Sequence, residues 1–230
     1  MRRALPACSV LIVVGIPALV STLALGWLGC SPFPVFPGYV SMTPRAAKKV
    51  DVTGEMGGMY FAEGGMGGVQ IGVEPHVGHG LSIPIGIVGG IGGHGIGTVG
   101  GGAMRLGVRY RIQGWASIGS GLGGGVYGYT EPSGDDFRMV SDNPYWAMHV
   151  DLELGVGHEW KRAGFSIVVR PTVEPFRQLF LVPVESVLAI KTGENGAFTV
   201  HCFWGPYIDM EYLSEVDWWV GGAMGFMLHL

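Results

Sequence analysis

Hydrophobic and polar residues alternate with a period of two along most of the chain. In the segment 145–160, the even-numbered positions are apolar from Trp146 to Val156, whereas Asp151 and Glu153 occupy odd-numbered positions. Successive side chains of a β-strand point to opposite faces. The spacing therefore predicts a strand with one apolar face and one charged face.

The same alternation recurs in other parts of the chain. It is strong in 104–113 and in 197–212, and it continues through the last residues as far as Leu230. Weaker examples are 50–61, 67–77, 81–88, 115–129, 163–173 and 178–191. Gly, Pro, Asn and Asp residues separate these segments, as expected for turns between antiparallel neighbours. The pattern predicts about ten strands, with eight as the alternative.

Glycine is the most informative part of the composition, at 42 of 230 residues. Glycine weakens an ordinary strand, but it is useful where the backbone curves or where little room is left inside a barrel. A flexible glycine-rich loop is the other interpretation. Both interpretations, strand and flexible loop, remain open for residues 89–102, where the apolar residues do not keep a period of two.

The length of the alternating segments indicates which face of each strand is in contact with water and which with lipid. Several reach ten residues, the length that a tilted strand needs to cross a bilayer, whereas soluble strands average five or six. Tryptophan is placed as in the interfacial aromatic girdles of membrane barrels; the candidates are Trp146, Trp160, Trp204 and Trp218. We therefore expect an all-β protein, an antiparallel up-and-down transmembrane β-barrel of 8–10 strands over 48–230. The alternative is a lipid-anchored soluble β-domain that binds a ligand or a protein.

A barrel of this size encloses a narrow lumen that is filled largely by side chains. Because charge is excluded from lipid, the ionic face of each strand should line that lumen. We expect an internal network of ion pairs, with a selective small pore or a binding cavity as the alternative. Its principal predicted members are Arg105, Arg109, Arg111, Arg170, Asp151, Glu153, Asp209 and Glu211. The acids Asp51, Glu55, Glu74 and Glu159 are expected to face the same lumen.

The first residues have the pattern of an export signal, with Arg2 and Arg3 before a long apolar run. Residues 1–29 are therefore predicted to be a signal peptide, and 30–47 a proline-rich tether. Leu28-Gly29-Cys30 resembles the lipobox of bacterial lipoproteins. The resemblance implies that Cys30 is acylated and becomes the lipid anchor. The alternatives are ordinary cleavage after Ala24-Leu25-Gly26 and an uncleaved transmembrane anchor.

The last strand ends with apolar residues at alternate positions, namely Met224, Phe226, Leu228 and Leu230. This ending resembles the C-terminal signal of bacterial outer-membrane β-barrel proteins. The resemblance implies location in the outer membrane, contact with its lipid and insertion by the barrel-assembly machinery. A monomer with a structural, adhesive or small-solute transport role is expected.

Other function classes receive little support. The formal net charge is -4 and no basic cluster occurs, which argues against nucleic acid as a partner. His149 and His158 have opposite parity, so they do not suggest one metal site; His76, His201 and His229 form a second candidate cluster. No Gly-x-Ser-x-Gly motif occurs. We expect no cofactor and no enzymatic activity, with a membrane lipid hydrolase or acyltransferase as the remaining enzyme alternative.

Overall fold

The computed structural model describes residues 49–61, 64–94, 97–112, 114–130, 145–175, 179–209 and 216–230. The predicted signal peptide and tether, with Cys30, lie outside the described residues. Among the described residues, no helix has the length and hydropathy needed to span a membrane.

The described chain is built from antiparallel β-strands. The strands are β1 (Val50–Phe61), β2 (Gly64–Gly78), β3 (Leu81–Ser82), β4 (Ile85–His94), β5 (Gly97–Ile112), β6 (Ala116–Thr130), β7 (Tyr145–Glu159), β8 (Ala163–Val169), β9 (Thr172–Glu174), β10 (Leu179–Leu181), β11 (Val184–Lys191), β12 (Gly196–Asp209) and β13 (Val216–His229).

The sheet closes on itself. Strands that follow each other in the chain are paired, apart from three interrupted ones, and β1 pairs with β13 along its length, from Asp51 opposite His229 to Phe61 opposite Trp219. Three pairs of segments each form one interrupted strand of the barrel wall, namely β3 with β4, β8 with β9 and β10 with β11. Counted in this way, the barrel has ten strands, which confirms the fold class and the larger of the two predicted strand numbers.

Proline marks each interruption, at Pro84, Pro171 and Pro183. Proline has no N–H to donate to the next strand, so the regular ladder stops there. Its carbonyl still accepts: Pro84 accepts from the N–H of Gly107 at 2.8 Å, and Pro171 accepts from that of Leu152 at 3.0 Å. The wall consequently stays hydrogen-bonded across the breaks.

The glycine-rich stretch is strand, and the loop interpretation of 89–102 is wrong. It falls mostly within β4 and β5, which pair with Gly89 opposite Gly102 and Gly90 opposite Gly101. The hydrogen bonds of a sheet join backbone groups, so a regular ladder needs no period in the side chains. This is why the loss of alternation in the sequence was misleading.

Apolar side chains cover the outside of the barrel. Leu152 in β7 is 51% exposed and Phe226 in β13 is 60% exposed, whereas Asp151 and Glu153 are each 1% exposed. A soluble β-domain has the opposite arrangement, with its apolar face inward. An apolar exterior on a closed sheet, which has no free edge, is the condition for crossing a bilayer with strands.

The two ends of the barrel differ in their connections. Residues 79–80, 160–162 and 192–195 join strands at one end, here called the turn end. β6 ends at Thr130, β7 begins at Tyr145, β12 ends at Asp209 and β13 begins at Val216, all at the other end, here called the loop end. In outer-membrane barrels the short turns face the periplasm and the longer loops face outward.

Candidate functional site in the barrel lumen

Arginines of β5 form ion pairs across the lumen. The guanidinium group of Arg109 lies between the carboxylates of Glu74 and Glu153, with Nη2 3.0 Å from Oε2 of Glu153. Arg111 also donates to Glu74, and it donates to the hydroxyl of Ser82 at 3.0 Å. Glu74 thus accepts from two arginines, which joins β2, β3, β5 and β7 at this level.

Arg105 forms a two-pronged pair with Asp151. Its Nε and Nη2 donate to the two carboxylate oxygens at 2.7 and 2.6 Å, and its Nη2 also lies 3.5 Å from Oε2 of Glu153. Charge-assisted pairs with this fork geometry are the strongest hydrogen bonds between side chains. Because Glu153 also binds Arg109, the two arginine sites form one connected network.

Glycine in β6 makes this pairing possible. β6 lies between β5 and β7, with Gly123 opposite Arg105 and Gly121 opposite Asp151. A Cβ atom at Gly121 would lie 2.6 Å from Cζ of Arg105. The side chain of Arg105 therefore crosses directly over β6, which has no side chain at that point.

A second group surrounds His201. Its Nδ1 lies 2.7 Å from Oε1 of Glu185, and its Nε2 lies 2.9 Å from Oε1 of Glu55. Thr199 donates to Glu55 at 3.4 Å. Arg170 lies 3.8 Å from Glu185, which places a further arginine beside this group.

A third group lies at the turn end. Asp51 binds Nε2 of His76 with one carboxylate oxygen, at 3.0 Å, and Nδ1 of His229 with the other, at 2.7 Å. His201 lies elsewhere, on Glu55, so the three histidines of the predicted cluster are not together. Within the described ranges, no group of side chains has the arrangement needed to hold a metal ion.

Apolar side chains also occupy the described lumen, together with further buried polar residues such as Gln70 and Glu174. Val187, Ala189, Ala197 and Met227 pack together near the turn end. A small pocket, partly open to the outside, lies beside His201. Its inward-facing lining includes Met59, Met66, Val88 and Phe203.

The predicted aromatic positions fall at both ends of the outer surface. Trp160 follows β7 at the turn end and is 53% exposed. Trp204 and Trp218 face outward on adjacent strands near the loop end, with ring centroids 6.3 Å apart in a stacked arrangement. The side chain of Trp146 lies outside the described part of the structure.

The structure places six of the eight predicted network residues in the lumen, buried: Arg105, Arg109, Arg111, Arg170, Asp151 and Glu153. The side chain of Asp209 and the whole of Glu211 lie outside the described part. Glu185 and Ser82 belong to the network but were not predicted to. Glu185 occupies an odd-numbered position in β11, as do the buried Val187 and Ala189. This alternation in the sequence could have placed Glu185 on the inward face.

No protein-family model matches the chain, and no curated protein matches it. Among solved structures it is similar to an anion-selective porin from Comamonas acidovorans, with TM-score 0.35 and 10% identity over 75% of this chain and 58% of the porin. It is also similar to the outer membrane protease OmpT from Escherichia coli, with TM-score 0.39 and 10% identity over 85% of this chain and 100% of that one. A third is the translocator domain of the autotransporter NalP from Neisseria meningitidis, with TM-score 0.43 and 10% identity over 78% of this chain and 87% of that one. A closed antiparallel barrel with an apolar exterior is the architecture of the bacterial outer membrane, and this chain is a barrel of that membrane.

Proposed function

We propose that the protein is a structural barrel of the outer membrane whose lumen is closed to passive flow of ions and solutes. The observation that carries this proposal is the buried network of ion pairs across the lumen. Its members come from strands on all sides of the barrel, from β1 and β2 through β5 and β7 to β11 and β12.

The ion pairs of the β5 arginines are tightly held. Arg109 and Glu153 are each 1% exposed, so water does not compete for their hydrogen bonds. Separating such a pair leaves a buried charge without its partner, at a cost of about 3–5 kcal/mol. An opening that requires several such separations is rarely populated at equilibrium.

Conductance across a planar lipid bilayer tests the proposal. The purified full chain should show no stable open level. The double variant Arg105→Ala with Arg109→Ala removes both arginines that hold Glu153 and should conduct. The matched control, Met104→Ala with Leu106→Ala, makes two truncations on the outward face of the same strand and should not conduct. A steady open level in the unaltered protein would contradict the proposal.

A second candidate function is gated passage of a small solute. The observation that favours it is the distance of 3.8 Å between Arg170 and Glu185, the longest of the ion pairs that connect the groups. Gated passage predicts brief openings of the unaltered protein, made more frequent by Glu185→Gln. A closed structural barrel predicts no openings in the unaltered protein.

A further inference from the structure

Two exposed cations lie beside an exposed indole at the turn between β7 and β8. β7 ends at Glu159 and β8 begins at Ala163, so the connection consists of Trp160, Lys161 and Arg162. The side chains of Lys161 and Arg162 are exposed, and that of Trp160 is 53% exposed. We call these three residues the turn cluster. All three side chains are accessible from outside the barrel.

The backbone of the turn cluster is held in place. The N–H of Trp160 donates to the carbonyl of Ala163 at 2.7 Å, and the carbonyl of Arg162 accepts from the N–H of Lys191 at 3.0 Å. The ring of Trp160 also contacts that of His158 edge to face, with centroids 5.0 Å apart. Because the cations extend from a tight, hydrogen-bonded turn, little backbone entropy is lost when they bind a partner.

The position of the turn cluster along the chain sets its depth in the membrane. Leu152 is the central residue of β7 and faces lipid. A strand that rises about 3.3 Å per residue and is tilted by about 40° advances about 2.5 Å per residue along the membrane normal. Trp160 follows eight residues later, which places it about 20 Å from the bilayer centre. Half of a bilayer with its headgroups measures about 20–22 Å, so the cluster lies at the level of the headgroups.

The protein does not neutralise the two charges of the turn cluster. Nearby, Lys191 is paired with Glu159 at 3.3 Å, so these two residues balance each other. Within the described ranges, no acidic side chain forms an ion pair with Lys161 or Arg162. This includes Glu194, which is exposed in the turn between β11 and β12. Two positive charges are therefore left facing the headgroups.

A phosphate group with net negative charge fits this combination of side chains. A guanidinium group binds two phosphate oxygens at once, and an ammonium group adds a point charge. An indole ring is stable at the membrane interface, where its N–H reaches polar groups. A zwitterionic headgroup carries its own cation, which the two protein cations would repel. At the loop end the stacked indoles of Trp204 and Trp218 have Asp217 beside them instead of a cation.

We propose that the turn cluster binds the headgroup phosphate of an anionic phospholipid in the leaflet at the turn end. Arg162 and Lys161 bind the phosphate oxygens, and Trp160 packs against the glycerol region beside them. Each basic residue near an anionic lipid surface raises affinity about fivefold, so two give a preference of about 25-fold over a zwitterionic lipid. The proposal goes beyond the closed lumen proposed above and does not depend on it, because the cluster lies on the outer rim of the barrel.

Native mass spectrometry of the full chain tests this proposal. The protein is released from detergent micelles that contain equal amounts of dioleoyl phosphatidylglycerol and dioleoyl phosphatidylcholine, and the retained lipid is identified by its mass. We expect phosphatidylglycerol to be retained in preference, and we expect the preference to fall as ammonium acetate is raised, because salt screens exposed charges. Equal retention of the two lipids, or a preference that salt does not change, would overturn the proposal.

Two double variants locate the site. Lys161→Gln with Arg162→Gln removes both charges of the turn cluster at exposed positions, and it should bring the two lipids to equal retention. The matched control is Lys48→Gln with Lys49→Gln, which removes two adjacent charges directly before β1, at the same end of the barrel. The control should keep the preference. A preference that survives in the first variant, or that is lost equally in both, would overturn the proposal.

Discussion

Leu152→Arg places a positive charge on the lipid-facing surface at the middle of β7. Leu152 is the central residue of this fifteen-residue strand and points outward. Leu154 and Val156 follow on the same face, toward the turn end, and both are about half exposed. The three positions therefore sample increasing distance from the bilayer centre along one strand.

The expected cost follows from this depth. A strand that rises about 3.3 Å per residue and is tilted by about 40° moves about 5 Å toward the interface for every two residues. Val156 therefore lies about 10 Å from the level of Leu152, near the edge of an apolar band about 25 Å tall. Arginine costs about 2–4 kcal/mol at the midplane and about 0–1 kcal/mol near the interface.

Equilibrium unfolding in urea, measured by tryptophan fluorescence in lipid vesicles, gives the free energy of unfolding of each variant. The loss should be largest for Leu152→Arg, intermediate for Leu154→Arg and smallest for Val156→Arg. The corresponding alanine variants correct for the loss of the apolar side chain. Equal losses at the three depths, or no loss at residue 152, would refute the assignment of this face to lipid.

Three further predictions concern the lumen and the outer face. Glu153→Gln should lower the free energy of unfolding by about 1.5–3 kcal/mol, the value of hydrogen bonds to charged groups; an unchanged urea midpoint would argue against the pairing with Arg105 and Arg109. Gly221→Ala should destabilise by about 1–3 kcal/mol through overpacking, because its Cβ would lie 2.0 Å from Phe203, whereas Gly54→Ala has nothing within 4 Å and should be tolerated; the same unfolding assay compares them. Cys202, which is exposed on the outer face, should react in vesicles with a lipid-soluble maleimide but not with a charged one, in a chain whose other cysteines are replaced by serine; equal reaction with both reagents would place it in water.

The sequence was sufficient for the architecture because one physical rule governs every strand. Charged side chains are excluded from the hydrocarbon of the bilayer, whereas apolar side chains are stable there. The alternation alone therefore assigns Leu152 outward and Glu153 inward. The same rule fails where both faces are apolar or both lack side chains. Phe203 and Trp219 point inward and are buried, although each lies in a strand whose outward face is also apolar.

The pairing of the charges depended on information that parity does not contain. The sequence places Arg105 and Asp151 on inward faces, but two strands apart. Their contact depends on the closed register and on the absence of side chains on β6 between them. The sequence also gives no direct measure of the space beside His201, because it depends on how far Met59 and Phe203, on strands separated by β13, extend into the lumen.

The glycines and the ion pairs are two parts of one solution to the narrow lumen. Arg105 reaches Asp151, two strands away, because Gly121 and Gly123 leave the strand between them without side chains. The same relation holds elsewhere: a Cβ at Gly123 would lie 2.3 Å from His149, and one at Gly225 would lie 2.6 Å from Glu55. These large polar residues therefore occupy the space that glycine leaves beside them. It follows that a mutation from glycine to alanine in this lumen acts on the ion pairs as well as on packing, and that its cost should fall when the overlying arginine is shortened.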